Sequence, residues 1–151
     1  MFFLIDYENV NYAGLEGTEL LNKNDTVIIF FSNVCKNIVA YRMMDIKQSG
    51  CTFEICKLKN VRKNALDFYI ASRVAEILTI DANAKIAIIS SDKGYISVLD
   101  YWQPKLVMHN QMLLAKSIAT AMSFINGDNI RKKIVDERMS IVDLQTEFIK
   151  Y

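Results

Sequence analysis

The sequence is poor in the side chains that build zinc sites and disulfide frameworks. Its 151 residues include three cysteines and one histidine, and no CxxC motif is present. An odd number of cysteines gives no complete disulfide framework, and the single His109 argues against a structural zinc site. We therefore interpret Cys35 and Cys51 as small apolar side chains and assign no function to His109.

Long hydrophobic runs are also absent. The longest ones, such as Val27–Phe31 and Ile86–Ile89, are far too short to span a bilayer. Asp6 and Glu8 interrupt the apolar N-terminus before the core of a signal peptide can form. We therefore expect a cytoplasmic protein that does not associate with membranes.

No excess of one charge is present, since the formal net charge is +1. This excludes a strongly basic protein that coats nucleic acid, but it leaves room for local basic patches. Two such groups occur: a basic loop of Lys57, Lys59, Arg62 and Lys63, and the cluster Arg131–Lys133. With 52% hydrophobic and 23% charged residues, the composition is that of an ordinary globular domain.

Short strands alternate with helices along the first two thirds of the chain. The strand patterns fall at Phe2–Ile5, Thr26–Phe31, Thr52–Cys56, Lys85–Ile89 and Lys105–Met108. Helical periodicity covers Asn37–Gln48, Asn64–Ile80, Lys93–Trp102 and Gln111–Ile125, and no further strand is predicted after Asn110. This alternation predicts an α/β fold with a mostly parallel sheet and helices on both faces. We expect residues 1–126 to form this domain and residues 127–151 to form a helical extension packed on it.

Polar side chains follow the first four predicted strands. In a parallel sheet these positions share the edge at which ligands bind. They are Asp6, Glu8, Asn9 and Asn11 after the first strand, Ser32 and Asn33 after the second, the basic loop with Asn64 and Asp67 after the third, and Ser90–Lys93 after the fourth.

Three of these acids, Asp6, Asp67 and Asp92, are candidate ligands of one divalent cation. Neighbouring carboxylates repel each other, and Mg²⁺ or Mn²⁺ relieves that repulsion through the oxygen ligands it prefers. A cation there can polarise a phosphodiester and lower the pKa of a water that attacks it. The basic loop would then bind the flanking phosphates.

Each candidate also has a structural interpretation. Asn64 and Asp67 have the spacing of a helix cap with an acidic third residue, and Asp92 or Ser91 can cap the helix that follows. Asp6 is harder to explain structurally, because no helix start is predicted directly after it. Glu8 is either a ligand or a solvated side chain.

The remaining polar and aromatic candidates stay open in the same way. Asn9 and Asn11 either form turns or, as we favour for Asn9, position a water. The basic loop and Arg131–Lys133 are either functional or simply solvated surface. Three tyrosines near the predicted edge either pack in the domain or stack on bases: Tyr7, Tyr12 and Tyr95.

Four stretches resemble the PIN-like nucleases, specifically their NYN-type branch. "FLIDYENVN" is similar to the first strand of that family with its Asp and Asn, here Asp6 and Asn9. "FFSNVCKN" is similar to the second strand with Ser32, "NALDFYIASRVAEIL" to the motif with Asp67, and "IISSDKGYISVL" to the motif with Asp92. The order and spacing agree over roughly residues 2–108, and the C-terminal helices match no motif.

The resemblance implies a Rossmann-like α/β/α domain with strand order 3-2-1-4-5, which places Asp6 beside Asp92. It also implies Mg²⁺- or Mn²⁺-dependent cleavage of RNA, as by an endoribonuclease. In that interpretation Asp6, Asp67, Asp92 and Glu8 hold the metal, and Asn9 joins the three Asp residues in catalysis. RNA would bind at Ser32, Lys57, Lys59, Arg62, Lys63 and Lys93.

The acid set departs from the family pattern, which keeps alternatives open. Asp45 lies deep in the second helix, Ile96 stands where some relatives have another Asp, and Asp100 lies two turns after Asp92. The site can therefore hold one metal instead of two, or the domain can be an inactive module that binds RNA, a nucleotide or a protein. A phosphotransfer enzyme with Asp6 as nucleophile is a third interpretation. A homodimer through the C-terminal helices is a further prediction.

Overall fold

The computed structural model describes residues 1–32, 38, 40–59, 62–125 and 129–138. Five parallel strands, β1 (Phe2–Asp6), β2 (Thr26–Phe31), β3 (Thr52–Lys57), β4 (Ile86–Ile89) and β5 (Met112–Ala115), form one sheet in the order β3-β2-β1-β4-β5. The predicted α/β class and the strand order implied by the resemblance are therefore confirmed. β1 is the central strand, and the chain passes to β2 on one side of it and to β4 on the other.

Five helices accompany the sheet: α1 (Tyr7–Val10), α2 (Ala40–Ser49), α3 (Ala65–Ile80), α4 (Ile96–Trp102) and α5 (Ile118–Phe124). Short 3-10 turns occupy Asn11–Leu15, Thr18–Leu20, Lys93–Tyr95 and Gln103–Lys105. Residues 129–138 form a further helical segment. No helix within the described ranges is long and apolar enough to cross a membrane.

Alternation along the strands divides the core into two layers. In β1, Phe3 and Ile5 point into a cluster with Ile46 of α2 and Ile118 of α5, whereas Leu4 points into the opposite cluster. That second cluster contains the apolar stripe of α3, which consists of Leu66, Ile70, Val74, Ile77 and Leu78. The sheet is therefore buried on both faces, as its continuous apolar strands require.

The C-terminal part of the sheet corrects two predictions. Lys105–Met108 is not a strand, and Gln111–Ile125 is not one helix, because β5 begins at Met112 and α5 only at Ile118. Val107 is 61% exposed, whereas Met112 is 4% exposed. Both segments are short and apolar, so the local pattern does not distinguish them. Pairing with β4 determines that Met112–Ala115 is the strand.

Three helix boundaries also differ from expectation. A short helix, α1, does begin directly after Asp6. The predicted helix Lys93–Trp102 is a 3-10 turn followed by α4. The helix predicted from Asn37 runs over Ala40–Ser49, and Asn37 and Val39 lie outside the described residues, as does Cys35. Gly50, which follows α2, has a φ of 73°, a value that favours glycine after a helix.

Candidate active site

Asp6 is the last residue of β1, the central strand, which pairs with β2 on one side and with β4 on the other. Its side chain is buried, and Oδ2 accepts hydrogen bonds from Ser90 Oγ (2.9 Å) and from the Tyr95 hydroxyl (3.3 Å). Burial raises the pKa of Asp6, the two hydroxyls oppose that rise, and nearby Asp67 adds to it. Asp6 is thus a buried acid supported by neutral donors.

Asp67 lies in the first turn of α3 and is half-buried. Its Oδ1 accepts a hydrogen bond of 3.0 Å from the Tyr95 hydroxyl. Asn64 occupies the N-cap position with a φ of 60°, but its side chain makes no capping hydrogen bond. The Asp67 side chain is therefore directed toward Tyr95, whose hydroxyl also contacts Asp6. A cap formed by the Asn64 side chain does not explain the spacing of Asn64 and Asp67.

Asp92 is exposed and caps the 3-10 turn that begins at Lys93, because its Oδ1 accepts from Gly94 N at 2.8 Å. The capping interpretation of Asp92 is therefore confirmed. Its own backbone N–H donates to Ser90 Oγ at 3.0 Å, and that hydroxyl in turn donates to Asp6. Asp92 thus connects to the buried acid through one serine.

These contacts form one continuous set of hydrogen bonds, which we call the acidic network: Asp6, Asp67, Ser90, Asp92 and Tyr95. The Tyr95 hydroxyl joins the carboxylates of Asp6 and Asp67, whereas Ser90 joins Asp6 to the backbone N–H of Asp92 and not to its carboxylate. Burial, followed by the charges of Asp6 and Asp67, raises the pKa of Tyr95, so its hydroxyl keeps its proton. Sequence reasoning placed the acids at one edge but missed Ser90 and Tyr95 as the groups that connect them. Tyr95 lies within the Asp92 motif, three residues after Asp92, and this position was the available signal.

Glu8 and Asn9 connect α1 to the residues that follow β2 and β4, the two neighbours of β1. Glu8 Oε1 accepts from the backbone N–H of Ser32 at 2.8 Å and also from its hydroxyl, and Asn9 Oδ1 accepts from Ser91 N at 2.6 Å. Ser32 is only 2% exposed, so its hydroxyl faces Glu8 and not the surface. Glu8 and Asn9 therefore link the ends of the neighbouring strands around Asp6.

The predicted basic residues lie at the same edge and are exposed. Lys57 ends β3, Arg62 and Lys63 lead into α3, and Lys93 follows Asp92. Neither these four residues nor Lys59, which is also exposed, forms an ion pair with another residue of the described ranges. Their charge is therefore available to an anionic ligand.

The aromatic side chains differ from expectation. Tyr7 and Tyr95 are 3% and 2% exposed and cannot stack on a base, whereas Tyr12 is open to solvent. Phe68 was missed by sequence reasoning and is 69% exposed in the first turn of α3. Phe68 and its neighbour Tyr69, which is 38% exposed, both lie off the apolar stripe of α3, and that position was the signal for an exposed ring.

Comparison with known protein families identifies the family of this chain. A sequence model described as a PIN domain matches residues 1–112. The chain belongs to the PIN domain family. The match runs from β1 to the start of β5 and includes all three acids of the network. PIN domains are usually nucleases that need a divalent metal, and they commonly bind RNA. No curated protein and no solved structure matches the chain significantly.

The donors of this PIN domain suit Mg²⁺ or Mn²⁺ in chemistry, since they are carboxylate oxygens. Burial of Asp6 near Asp67 is a situation that a cation relieves. Among the described residues, however, no three His, Cys, Asp or Glu side chains lie close enough together to hold a metal ion. The Tyr95 hydroxyl lies between Asp6 and Asp67 instead.

Proposed function

We propose that this PIN domain is a metal-dependent endoribonuclease of the NYN-type branch. The observation that carries the proposal is the acidic network, which links Asp6 at the end of the central strand to the carboxylate of Asp67 through Tyr95 and to the backbone of Asp92 through Ser90. Asp6, Asp67, Asp92 and Glu8 would hold Mg²⁺ or Mn²⁺, and their carboxylates would have to draw together around the ion, because no three of them lie close enough in the described residues. When bound, such a cation polarises a phosphodiester and lowers the pKa of water.

The protein side chains then bind and orient the RNA. Lys57, Lys59, Arg62, Lys63 and Lys93 supply unpaired positive charge for phosphates beside the acids. Phe68, one turn into α3, supplies an exposed ring on which a base can stack. Asn9 ties α1 to the segment after β4, so that Asp6 and Asp92 stay at one edge.

Cleavage of a labelled mixed-sequence single-stranded RNA tests this function. The wild-type domain is incubated with Mn²⁺, Mg²⁺ or a chelator beside Asp6→Asn and Asp92→Asn. We expect cleavage that needs metal and falls by more than about 100-fold in both variants, since even the supporting residues of metal ligands are worth about 10- to 100-fold. Asp81→Asn, an exposed change just after α3, is the matched control and should cut like wild type. Equal cleavage by all three variants would refute the site assignment.

A second candidate function is a non-catalytic module that binds RNA. It is favoured by the absence of a three-acid metal group among the described residues and by the use of Asp92 as a cap. A folded domain that never cuts, but binds RNA without metal, would establish it. Saturating Mn²⁺ discriminates further, because a ligand that binds only the folded state raises the melting temperature. A homodimer through the C-terminal helices is a separate proposal, which light scattering in solution tests.

A further inference from the structure

A cleft of about 290 Å³ lies between α3 and the outer strands β2 and β3, and we call it the α3–β3 cleft. Its floor includes Phe30 of β2 and Cys56 of β3, and its wall is one stripe of α3 formed by Tyr69, Ser72, Arg73 and Glu76. Small-molecule sites in proteins have volumes of about 300–1,000 Å³. The cleft is at the low end of that range and suits one planar ring system better than a whole nucleotide.

The α3–β3 cleft lies next to the surface proposed for RNA. Phe30 and Cys56 are the last residues but one of their strands, so the cleft reaches the carboxyl edge of the sheet. Lys57 follows Cys56 directly, and the exposed ring of Phe68 precedes Tyr69 in α3. A single strand whose phosphates contact the basic loop therefore passes the cleft.

The charges around the cleft disfavour a phosphate inside it. Arg73 Nη2 donates to both carboxylate oxygens of Glu54, at 2.8 Å and 2.7 Å, and its Nη1 lies 3.9 Å from Glu76 Oε2. One guanidinium group thus faces two carboxylates, and the net charge of the three side chains is negative. A neutral group is therefore favoured over an anion. The base of a nucleotide meets this condition while its phosphate stays on the basic loop.

The wall of the cleft offers a base both a stacking face and a hydrogen-bonding edge. The partly exposed ring of Tyr69 can cover one face of a base. The Glu76 carboxylate only accepts hydrogen bonds, whereas the Ser72 hydroxyl donates or accepts. Cytosine presents an amino group that a carboxylate accepts from, but uracil has a carbonyl oxygen at the same place, which a carboxylate repels.

We infer that the α3–β3 cleft binds one unstacked base of a single-stranded RNA and that Glu76 selects cytosine over uracil. This inference rests on the proposed function, since it takes RNA as the ligand, but it requires neither a metal ion nor cleavage. Tyr69 is then the stacking residue and Glu76 the specificity-determining residue. Stacking on an aromatic ring, together with hydrogen bonds to the base edge, is how bases splayed out of a single strand are recognised.

Metal-free binding of labelled oligo(C) and oligo(U) tests the selection, because the two bases differ only on the edge that Glu76 contacts. We expect the wild-type domain to bind oligo(C) at least about fivefold more tightly than oligo(U). Glu76→Gln should reduce this preference to within about twofold, because an amide group donates as well as accepts. Glu137→Gln, an exposed change in the segment 129–138, is the matched control and should keep the preference.

The stacking residue is tested separately from the selection. Tyr69→Ala should weaken binding of both oligonucleotides by at least about fivefold, the low end of one base stack, and should leave their ratio unchanged. Tyr101→Ala, at an exposed tyrosine of α4, is the matched control and should bind both like wild type. Fluorescence anisotropy measures all of these affinities.

The two half-buried thiols of β3 and its N-terminal neighbour locate the bound base directly. Cys56 lines the cleft, whereas Cys51 precedes β3 and packs against the cluster on the opposite face of the sheet. With oligo(C) at about ten times its dissociation constant, alkylation of Cys56 by N-ethylmaleimide should slow by about tenfold. Alkylation of Cys51 should stay unchanged. Peptide mass spectrometry follows each cysteine separately.

Each other outcome decides against the inference in a distinct way. Equal wild-type affinities for oligo(C) and oligo(U), or a Cys56 that reacts at full rate in the RNA-bound domain, would overturn it and leave the proposed nuclease intact. A cytosine preference that survives Glu76→Gln would also overturn it, because another residue would then read the base. A folded domain that neither binds RNA nor cuts it would refute the proposed function, and the base site would fall with it.

Discussion

At the residue scale, burial of the Asp6 carboxylate opposes the stability of the fold. Its carboxylate is buried, and no described salt bridge reaches it. The hydroxyls of Ser90 and Tyr95 compensate only in part, because the pKa of Asp6 remains raised. The charged form of this side chain therefore lowers the free energy of unfolding, and a neutral substitute should raise it.

The first prediction is that Asp6→Asn is more stable than wild type at neutral pH. The folded-state pKa of Asp6 lies above its unfolded value, so wild-type stability falls as pH rises through that interval, whereas Asn does not titrate. We expect a gain of about 1 kcal/mol at pH 7, or roughly 2–4 °C in melting temperature, which disappears at acidic pH. Denaturation at several pH values measures it. An Asp6→Asn protein that is less stable at pH 7 would contradict the argument.

The second prediction concerns Phe68. Phe68→Ala should weaken binding of single-stranded RNA by about 1–3 kcal/mol, the usual contribution of one stacked base. The loss should be nearly independent of salt, whereas Lys63→Gln should reduce the salt dependence itself. Fluorescence anisotropy at several salt concentrations distinguishes the two effects. Phe124→Ala in α5, 63% exposed on the other side of the sheet, is the matched control. Equal losses from both phenylalanines would argue against a stacking site.

At the element scale, the placement of β5 depends on Gln111. This side chain is 1% exposed, and its Oε1 accepts from the backbone N–H groups of Val107 and Met108. Its amide group donates to the carbonyls of Ala82 and Ala84, which precede β4. One residue therefore satisfies four backbone groups and sets where the last strand begins.

The third prediction follows from those four bonds. Gln111→Ala leaves several backbone groups without a partner and should cost about 2–3 kcal/mol of unfolding free energy. Urea denaturation followed by tryptophan fluorescence or circular dichroism measures the loss. Gln103→Ala, at an exposed glutamine in the preceding 3-10 turn, should stay within about 0.5 kcal/mol of wild type. A Gln111→Ala protein as stable as this control would mean that β5 is positioned by its apolar side chains alone.

At the scale of the whole molecule, the helical segment 129–138 is attached to the start of the domain. Arg131 makes a two-pronged contact with buried Asp25, with distances of 2.6 Å and 3.1 Å, and also donates to the carbonyl of Leu20 at 3.2 Å. Val135 of the same segment is buried in the cluster that includes α5. The interpretation of Arg131 as plain helix surface is therefore wrong, although Lys132 and Lys133 are exposed.

The fourth prediction is that this attachment stabilises the whole domain. Arg131→Ala leaves Asp25 buried with less compensation, which should cost about 3 kcal/mol, or roughly 6–12 °C in melting temperature. Lys132→Ala is the neighbouring control and should change little. Thermal denaturation of both variants measures the difference. If Arg131→Ala melted like Lys132→Ala, the contact with Asp25 would contribute nothing to folding.

Much of this architecture is determined by the sequence alone. Continuous apolar strands such as β2 and β4 must be buried on both faces, and their alternation with helices requires parallel connections. That is why the first four strands and α3 were predicted nearly to the residue. Asp6, Asp67 and Asp92 were found as candidates for the same reason, because acids after strands of a parallel sheet share one edge.

Tertiary structure decided what local pattern left open. The segments Lys105–Met108 and Met112–Ala115 are both short and apolar, and only pairing with β4 and the bonds of Gln111 distinguish them. The role of Tyr95 was undecidable for a similar reason, since a tyrosine after Asp92 can face solvent or the core. Burial placed its hydroxyl between Asp6 and Asp67. Tyr95 follows Asp6 by 89 positions and Asp67 by 28 positions in the sequence. Sequence determines which groups each element carries, whereas contacts over such separations exist only once the elements pack.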